Sequence, residues 1–109
     1  MIEGQPVVLV TGANGFIGRH LTPMLEKNGW IVRQALRTPP ARPRDVLIKS
    51  IGSKTDWRKA LQEVDAVVHL AARVHHPEES QNEGLYEDTN VEGTLNLARK
   101  AGLLLAAVE

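Results

Sequence analysis

The spacing of apolar positions changes several times along the chain, and each change marks an element. Residues 6–11, Pro-Val-Val-Leu-Val-Thr, form a short apolar run closed by Gly12, as expected for a strand buried on both faces of a parallel sheet. From Phe16 to Lys27 the apolar residues Phe16, Ile17, Leu21, Met24 and Leu25 follow helical spacing, and Asn28-Gly29 supplies the stop. Pro23 conflicts with that helix, because an interior proline removes a backbone hydrogen bond. Residues 30–36 predict a second strand, ended by Arg37-Thr38-Pro39-Pro40. Residues 38–45, with three prolines and two arginines, predict a surface loop. A third strand is expected over 46–51. A short helix is expected over 56–63, capped by Thr55 or Asp56, with Trp57, Ala60, Leu61 and Val64 on one apolar face. Residues 66–71 predict a fourth strand, 75–84 a polar loop and 85–101 a longer helix.

Strands alternating with helices at this spacing imply βαβ units with right-handed crossovers, and so a parallel sheet covered on both faces. The order β-α-β-β-α-β-α describes an α/β chain forming the first half of a doubly wound parallel sheet, truncated before the strands that normally continue it. Strand four is then expected to lie at the sheet edge, with self-association through that exposed edge.

The chain has 109 residues, 42% of them hydrophobic and 24% charged, the composition of one ordinary globular domain. Thirteen basic residues balance thirteen acidic ones, so nothing global argues for nucleic acid or an anionic membrane. The charges are segregated, however. Residues 19–59 hold ten basic and three acidic residues, and 60–109 hold three basic and nine acidic. The first half is therefore a candidate for anion contact, and uneven surface charge is the plainer reading. There is no cysteine, no charged-then-apolar leader and no apolar run approaching a bilayer's span. A cytoplasmic protein is expected.

Between strand one and the first helix lies Thr11-Gly12-Ala13-Asn14-Gly15-Phe16-Ile17-Gly18, a G-x-x-G-x-x-G turn. A tight turn out of a buried strand, close approach of a diphosphate to backbone, and close packing of helix on strand each exclude a Cβ at one of these glycines. Free N–H groups at the helix start, with the positive end of its dipole, suit the diphosphate. A glycine-rich turn without a ligand is the competing reading. The end of strand two, Val32-Arg33-Gln34-Ala35-Leu36-Arg37, has no carboxylate for the ribose hydroxyls of NAD. Arg37 is placed to meet a 2′-phosphate or to stack on adenine, which favours NADP over NAD. Alternatively, Arg37 merely begins a basic loop with Arg42 and Arg44.

With these pieces in place, the chain resembles the extended short-chain dehydrogenase/reductases, specifically the NAD-dependent epimerase/dehydratase family acting on nucleotide sugars, over residues 7–101. The resemblance rests on Val10-Thr-Gly-Ala-Asn-Gly-Phe-Ile-Gly-Arg-His-Leu21, on Val64-Asp-Ala-Val-Val-His-Leu-Ala-Ala-Arg-Val-His75 and on Asn90-Val-Glu-Gly-Thr-Leu-Asn-Leu97, in order. The Thr55-Asp-Trp57 and Ala72-Arg-Val-His75 stretches look most like UDP-sugar 4-epimerases and related reductases of polysaccharide synthesis. The resemblance implies a Rossmann-type fold binding NAD or NADP. It implies that Gly12, Gly15, Phe16, Ile17 and Gly18 hold the pyrophosphate, that Asn14 also binds the cofactor, and that Arg37 flanks the adenosine ribose. Ser50 and Ile51 would lie beside adenine, Ser50 standing where many relatives have aspartate and making a weaker hydrogen bond. Leu70, Ala71 and Ala72 would meet the nicotinamide ribose, and Asn90 would support the active site.

His69, His75 and His76 do not make a convincing metal site, because His69 sits in an apolar strand and an adjacent pair cannot easily face one ion. Trp30 and Trp57 read as packing residues. The family's chemistry is hydride transfer, with a tyrosine acid/base and a lysine four positions later. The only tyrosine, Tyr86, is followed at that spacing by Asn90, so no catalytic residue is assigned, and an unshifted phenol near pKa ~10 is a poor base at neutral pH. After Ala101 the chain departs from the family pattern, and a truncation or shifted reading frame there is expected. The leading expectation is an NAD(P)-binding N-terminal portion of a nucleotide-sugar epimerase, dehydratase or reductase, without its substrate domain and not catalytic alone. In that reading the nucleotide sugar binds only in a full-length form. The alternative is a stand-alone NADP-binding or partner-binding module without catalysis.

Overall fold

The computed structural model describes residues 4–71, 87–102 and 105–107. Its centre is a parallel sheet of β1 (Val7–Thr11), β2 (Ile31–Leu36), β3 (Val46–Leu47), β4 (Ala66–His69) and β5 (Leu105–Ala107), in the order β3-β2-β1-β4-β5. The helices are α1 (Phe16–Lys27), between β1 and β2, and α2 (Gly93–Ala101), which continues from a π-helical turn at Glu87–Glu92. Strand order passes outward from β1 in both directions, so the crevice beyond the C-terminal end of β1 is where ligands bind in such sheets.

Alternation along the strands sorts the core into two layers. Val8, Val10, Val32 and Leu36 face α1, with Ala66, Val68, Leu70 and Leu25 packed against them. Val7, Leu9, Ala35 and Val67 face the other side, against Trp57, Ala60, Val64 and Leu97. Every residue of β1 is buried, as its unbroken apolar run requires of a central parallel strand.

The doubly wound α/β class and the bounds of α1 are as the sequence predicts, but several details differ. Phe16, Ile17 and Met24 are 74%, 44% and 58% exposed. The helix turns Gly18, Leu21, Thr22 and Leu25 inward instead, because small Gly18 and Thr22, four apart, let its backbone approach the sheet. Helix α1 runs through Pro23, which is exposed, so the carbonyl freed at Arg19 lies on the solvent side.

The expected helix over 56–63 is absent, and residues 58–63 form successive turns instead. After one helical bond, Leu61 N–H to Trp57 O at 3.0 Å, the pattern stops, and Glu63 takes φ 61°. The Arg33 guanidinium bonds the carbonyls of Ala60 and Gln62 at 2.8 and 2.7 Å, taking acceptors a longer helix would use. Trp57, Ala60 and Val64 are nevertheless buried as one face.

Strand four is not an edge. Val67, Val68 and His69 pair with Leu105, Ala106 and Ala107, so among the described residues the sheet edges are β3 and β5 instead. The apolar run after the Gly102 stop, Leu-Leu-Leu-Ala-Ala-Val, carries the same signal as β1, and Gly102 turns the chain with φ 55°. Strand three is shorter than expected, its ladder reaching only Leu47.

Candidate functional site

The three glycines of the turn meet different surroundings. Gly12 has φ 67°, and a Cβ there would lie 2.7 Å from the Ala71 nitrogen and 2.8 Å from the Leu70 carbonyl carbon. A Cβ on Gly18 would lie 2.5 Å from the Gly12 oxygen and 2.6 Å from the Ala13 Cα. Both positions are fixed by the protein's own packing: Gly12 lets the ends of β1 and β4 touch, and Gly18 lets α1 sit on the turn. Gly15 differs. It is exposed, has φ −74° and ψ 176°, and among the described residues its Cβ would meet only the Gly12 oxygen, at 3.2 Å.

Gly15 is also the N-cap of α1 and has no side chain to bond the helix start. Gly15 N–H bonds Gly12 O at 3.0 Å and Arg19 N–H bonds Gly15 O at 2.9 Å. Helix geometry leaves the intervening N–H groups of Phe16, Ile17 and Gly18 without intrahelical acceptors. No acidic residue stands in the first turn, so the positive end of the helix dipole is unneutralised from within.

Around the turn a cleft of about 120 Å³ joins three strand ends. Gly12, Ala13, Asn14 and Gly15 form one wall, Ala35, Leu36 and Arg37 the end of β2, and Ile48, Ile51 and Ala71 the rest. Arg37 is exposed, and it makes no ion pair or hydrogen bond among the described residues. The loop beyond it is tied down by other groups. Arg42 pairs with Glu26 at 2.7 Å. Buried Asp45 accepts from Gln34 N–H at 3.0 Å and Gln34 Nε2 at 2.8 Å. Arg37 is thus distinct from the basic loop that follows it.

The cleft brings together Gly12, Asn14, Gly15, Arg37, Ile51 and Ala71 of the expected site. Phe16 and Ile17 stand exposed at the mouth of the helix, and Gly18 is buried beneath the turn. Ser50 is exposed outside the cleft lining, where its carbonyl accepts from Thr55 Oγ1 at 2.8 Å. Leu70 packs with the α1-side core, and Asn90 is exposed on the π-helical turn. Ala72, His75, His76 and Tyr86 lie outside the described residues.

Sequence reasoning missed Ala13, Ala35, Leu36 and Ile48 as cleft walls. The first three are small or apolar residues at strand ends, where such residues ordinarily read as core. It also missed the hydroxyl of Thr11, whose Oγ1 accepts from Leu70 N–H at 3.0 Å and Ala71 N–H at 3.1 Å. His69 Nδ1 lies 2.6 Å from that hydroxyl, and His69 Nε2 lies 3.0 Å from Thr94 Oγ1 on α2. Burial lowers the imidazole's pKa.

Comparison with known proteins follows the same outline. The family model described as the NAD dependent epimerase/dehydratase family matches residues 8–104. UDP-glucose 4-epimerase of Vibrio cholerae is 35% identical over 99 residues, covering 86% of this chain and 30% of the relative. Among solved structures, MoeE5 in complex with UDP-glucose and NAD is similar with a TM-score of 0.71 at 30% identity, covering 92% of this chain and 35% of that one. Gre2 of Candida albicans in complex with NADPH gives a TM-score of 0.71 at 25% identity, covering 86% and 32%. The chain thus spans about a third of the length of the relatives it matches. Among the described residues, no helix is long and apolar enough to cross a membrane.

Proposed function

Because the chain belongs to the NAD dependent epimerase/dehydratase family, we propose that residues 1–109 are the N-terminal, dinucleotide-binding part of a nicotinamide-dependent enzyme acting on a nucleotide sugar. In this reading the part is not catalytic alone, since the sequence carries no Tyr-x-x-x-Lys pair. The observation that carries it is Gly15. Among the described residues the fold asks less of a glycine there than at Gly12 or Gly18, since one backbone oxygen would have to give by a few tenths of an ångström, yet its missing side chain leaves the helix start open toward the cleft. That space, flanked by the N–H groups of α1, fits a diphosphate. Gly12 and Gly18 shape the turn, Asn14 and Gly15 line it, and Phe16 and Ile17 cover its outer side.

Ile48 and Ile51 offer an apolar surface to the adenine, and Ala71, flanked in the sequence by Leu70 and Ala72, is assigned to the nicotinamide ribose. Arg37, uncompensated at the end of β2, favours the extra phosphate of NADP over the ribose diol of NAD. Ser50 and Asn90 are assigned lesser contacts, from the adenine edge and the active-site side. The bound dinucleotide would supply a hydride acceptor or donor. The nucleotide-sugar substrate is supported by the Vibrio cholerae epimerase and by MoeE5, which holds UDP-glucose.

Calorimetric titration of the chain with NADP⁺ and NAD⁺ tests this reading. Saturable binding is expected, with NADP⁺ the tighter. Arg37→Ala should weaken NADP⁺ roughly tenfold, as loss of a charge-assisted hydrogen bond of about 1.5 kcal/mol implies, and leave NAD⁺ nearly untouched. No binding of either nucleotide overturns the proposal. Equal affinities that ignore Arg37 overturn the NADP assignment alone.

A further inference from the structure

His69 is a buried histidine, 3% exposed, at the point where β1, β4 and α2 meet. Its hydrogen bonds define its protonation. A threonine hydroxyl has two lone pairs and one proton. Both lone pairs of Thr11 Oγ1 are taken, by the N–H groups of Leu70 and Ala71. With both lone pairs engaged in this way, the hydroxyl proton points at His69 Nδ1, 2.6 Å away, which accepts it when the ring is the Nε2–H tautomer. The ring proton is left on Nε2, which donates to Thr94 Oγ1 at 3.0 Å. The chain of bonds runs from α2 through the imidazole to the last residue of β1 and the backbone just after β4.

That backbone is the one Gly12 touches. A Cβ on Gly12 would fall 2.7 Å from the Ala71 nitrogen, and Ala71 lines the cleft beside Gly15. We propose that His69 is a positioning residue for the dinucleotide site: through Thr11 it sets the backbone of Leu70 and Ala71 against the glycine turn, and a second ring proton undoes that setting. The proposal rests on the dinucleotide reading of the cleft.

The reason is a count of donors. With Nδ1 protonated, three N–H groups compete for two lone pairs on Thr11 Oγ1, and the hydroxyl's own proton loses its acceptor in a fully buried place. Leu70 N–H has the Thr11 carbonyl as a second acceptor, at 3.2 Å. The charged groups on the packed elements do not offset this. Asp65, just before β4, accepts from Val7 N–H at the far end of the sheet. Asp56 and Arg58, on the same face, bind each other at 2.8 Å. Glu92 precedes α2, Arg99 and Lys100 are exposed in its last turn, and burial alone shifts the ring, toward the neutral form. The fold thus favours neutral His69. Its stability should fall as pH drops below the unfolded value of about 6.5 and level off once the lowered folded value is passed.

The test compares the full chain with His69→Asn, whose amide oxygen can replace Nδ1 as acceptor without titrating, and His69→Leu, which removes the acceptor. NADP⁺ affinity of the wild type should be about threefold or more weaker once the pH is taken below the ring's lowered folded value than at pH 8, beyond the change seen in H69N over the same range. H69L should bind more weakly than H69N at pH 8. Nitrogen-15 spectra should show His69 as the Nε2–H tautomer at pH 8, and amide protection of Leu70 or Ala71 should fall as the ring gains its second proton in the wild type but not in H69N over the same pH range. An Nδ1–H tautomer, or identical pH dependence of binding and protection in wild type and H69N, overturns the proposal. If no dinucleotide binds at any pH, the site reading falls. The tautomer and amide protection then still decide whether His69 holds this backbone.

Discussion

Replacing Gly12, Gly15 and Gly18 by alanine one at a time separates what the turn does for the fold from what it does for a ligand. At Gly12 an alanine must adopt φ 67°, costing roughly 1–2 kcal/mol for an L-residue. Its Cβ also meets Ala71 nitrogen at 2.7 Å and Leu70 carbon at 2.8 Å, backbone atoms that cannot rotate away, adding roughly 1–3 kcal/mol of overpacking. At Gly18 the backbone angle is helical, and alanine gains about 1 kcal/mol of helix propensity. Three backbone contacts of 2.5–2.7 Å to Gly12 and Ala13 put the overpacking at the upper end of its range, about 2–3 kcal/mol, so a net loss of about 1–2 kcal/mol is expected. At Gly15 there is no strained angle and one contact at 3.2 Å, and the loss of a glycine N-cap costs about 0.5–1 kcal/mol. Urea unfolding followed by fluorescence of Trp30 and Trp57 should therefore rank the variants Gly12→Ala, Gly18→Ala, Gly15→Ala from least to most stable. NADP⁺ titration should single out Gly15→Ala as the variant that stays folded yet binds roughly tenfold or more weakly. A Gly15→Ala chain as unstable as Gly12→Ala, or one that binds like the wild type, would refute the division of roles.

Two further outcomes follow from polar groups around the site. Asp45→Ala removes the acceptor of two Gln34 hydrogen bonds at a buried position and should destabilise the chain by about 1–3 kcal/mol in the same unfolding assay. Asp56 is exposed, and its hydrogen bonds with Arg58 hold its carboxyl down to about 2. An NMR titration should find that value in the wild type and a rise toward the ordinary 3.8 in Arg58→Ala. Because the pair is solvated, folding stability should hardly change between pH 7 and 4 on its account.

The elements that could be read from the sequence are those whose local signals agree with their tertiary setting. The run before Gly12 is buried on both faces, and α1 begins and ends where the glycine turn and Asn28-Gly29 place it. The inward face of α1 was not legible, because burial there is decided by how near the backbone can come. Gly18 and Thr22 go in, and Phe16 and Met24 stay out. The turns at 58–63 were obscured for a similar reason, since the Arg33 side chain that takes the Ala60 and Gln62 carbonyls comes from a distant strand. For the cleft, motif spacing identified Gly12, Gly15 and Arg37. It could not reveal the roles of Thr11 and His69, because a hydroxyl and an imidazole in apolar strands gain meaning only when β1 and β4 are side by side.

The central claim, that the start of α1 and the end of β2 grip a dinucleotide, is tested most directly by backbone amide shifts recorded while NADP⁺ is added to the chain. The account predicts saturable shifts at Gly15, Phe16, Ile17 and Gly18, with Arg37 and Ala71 moving at the same nucleotide concentration. Saturable shifts confined to residues away from the turn, or none at all, would contradict it.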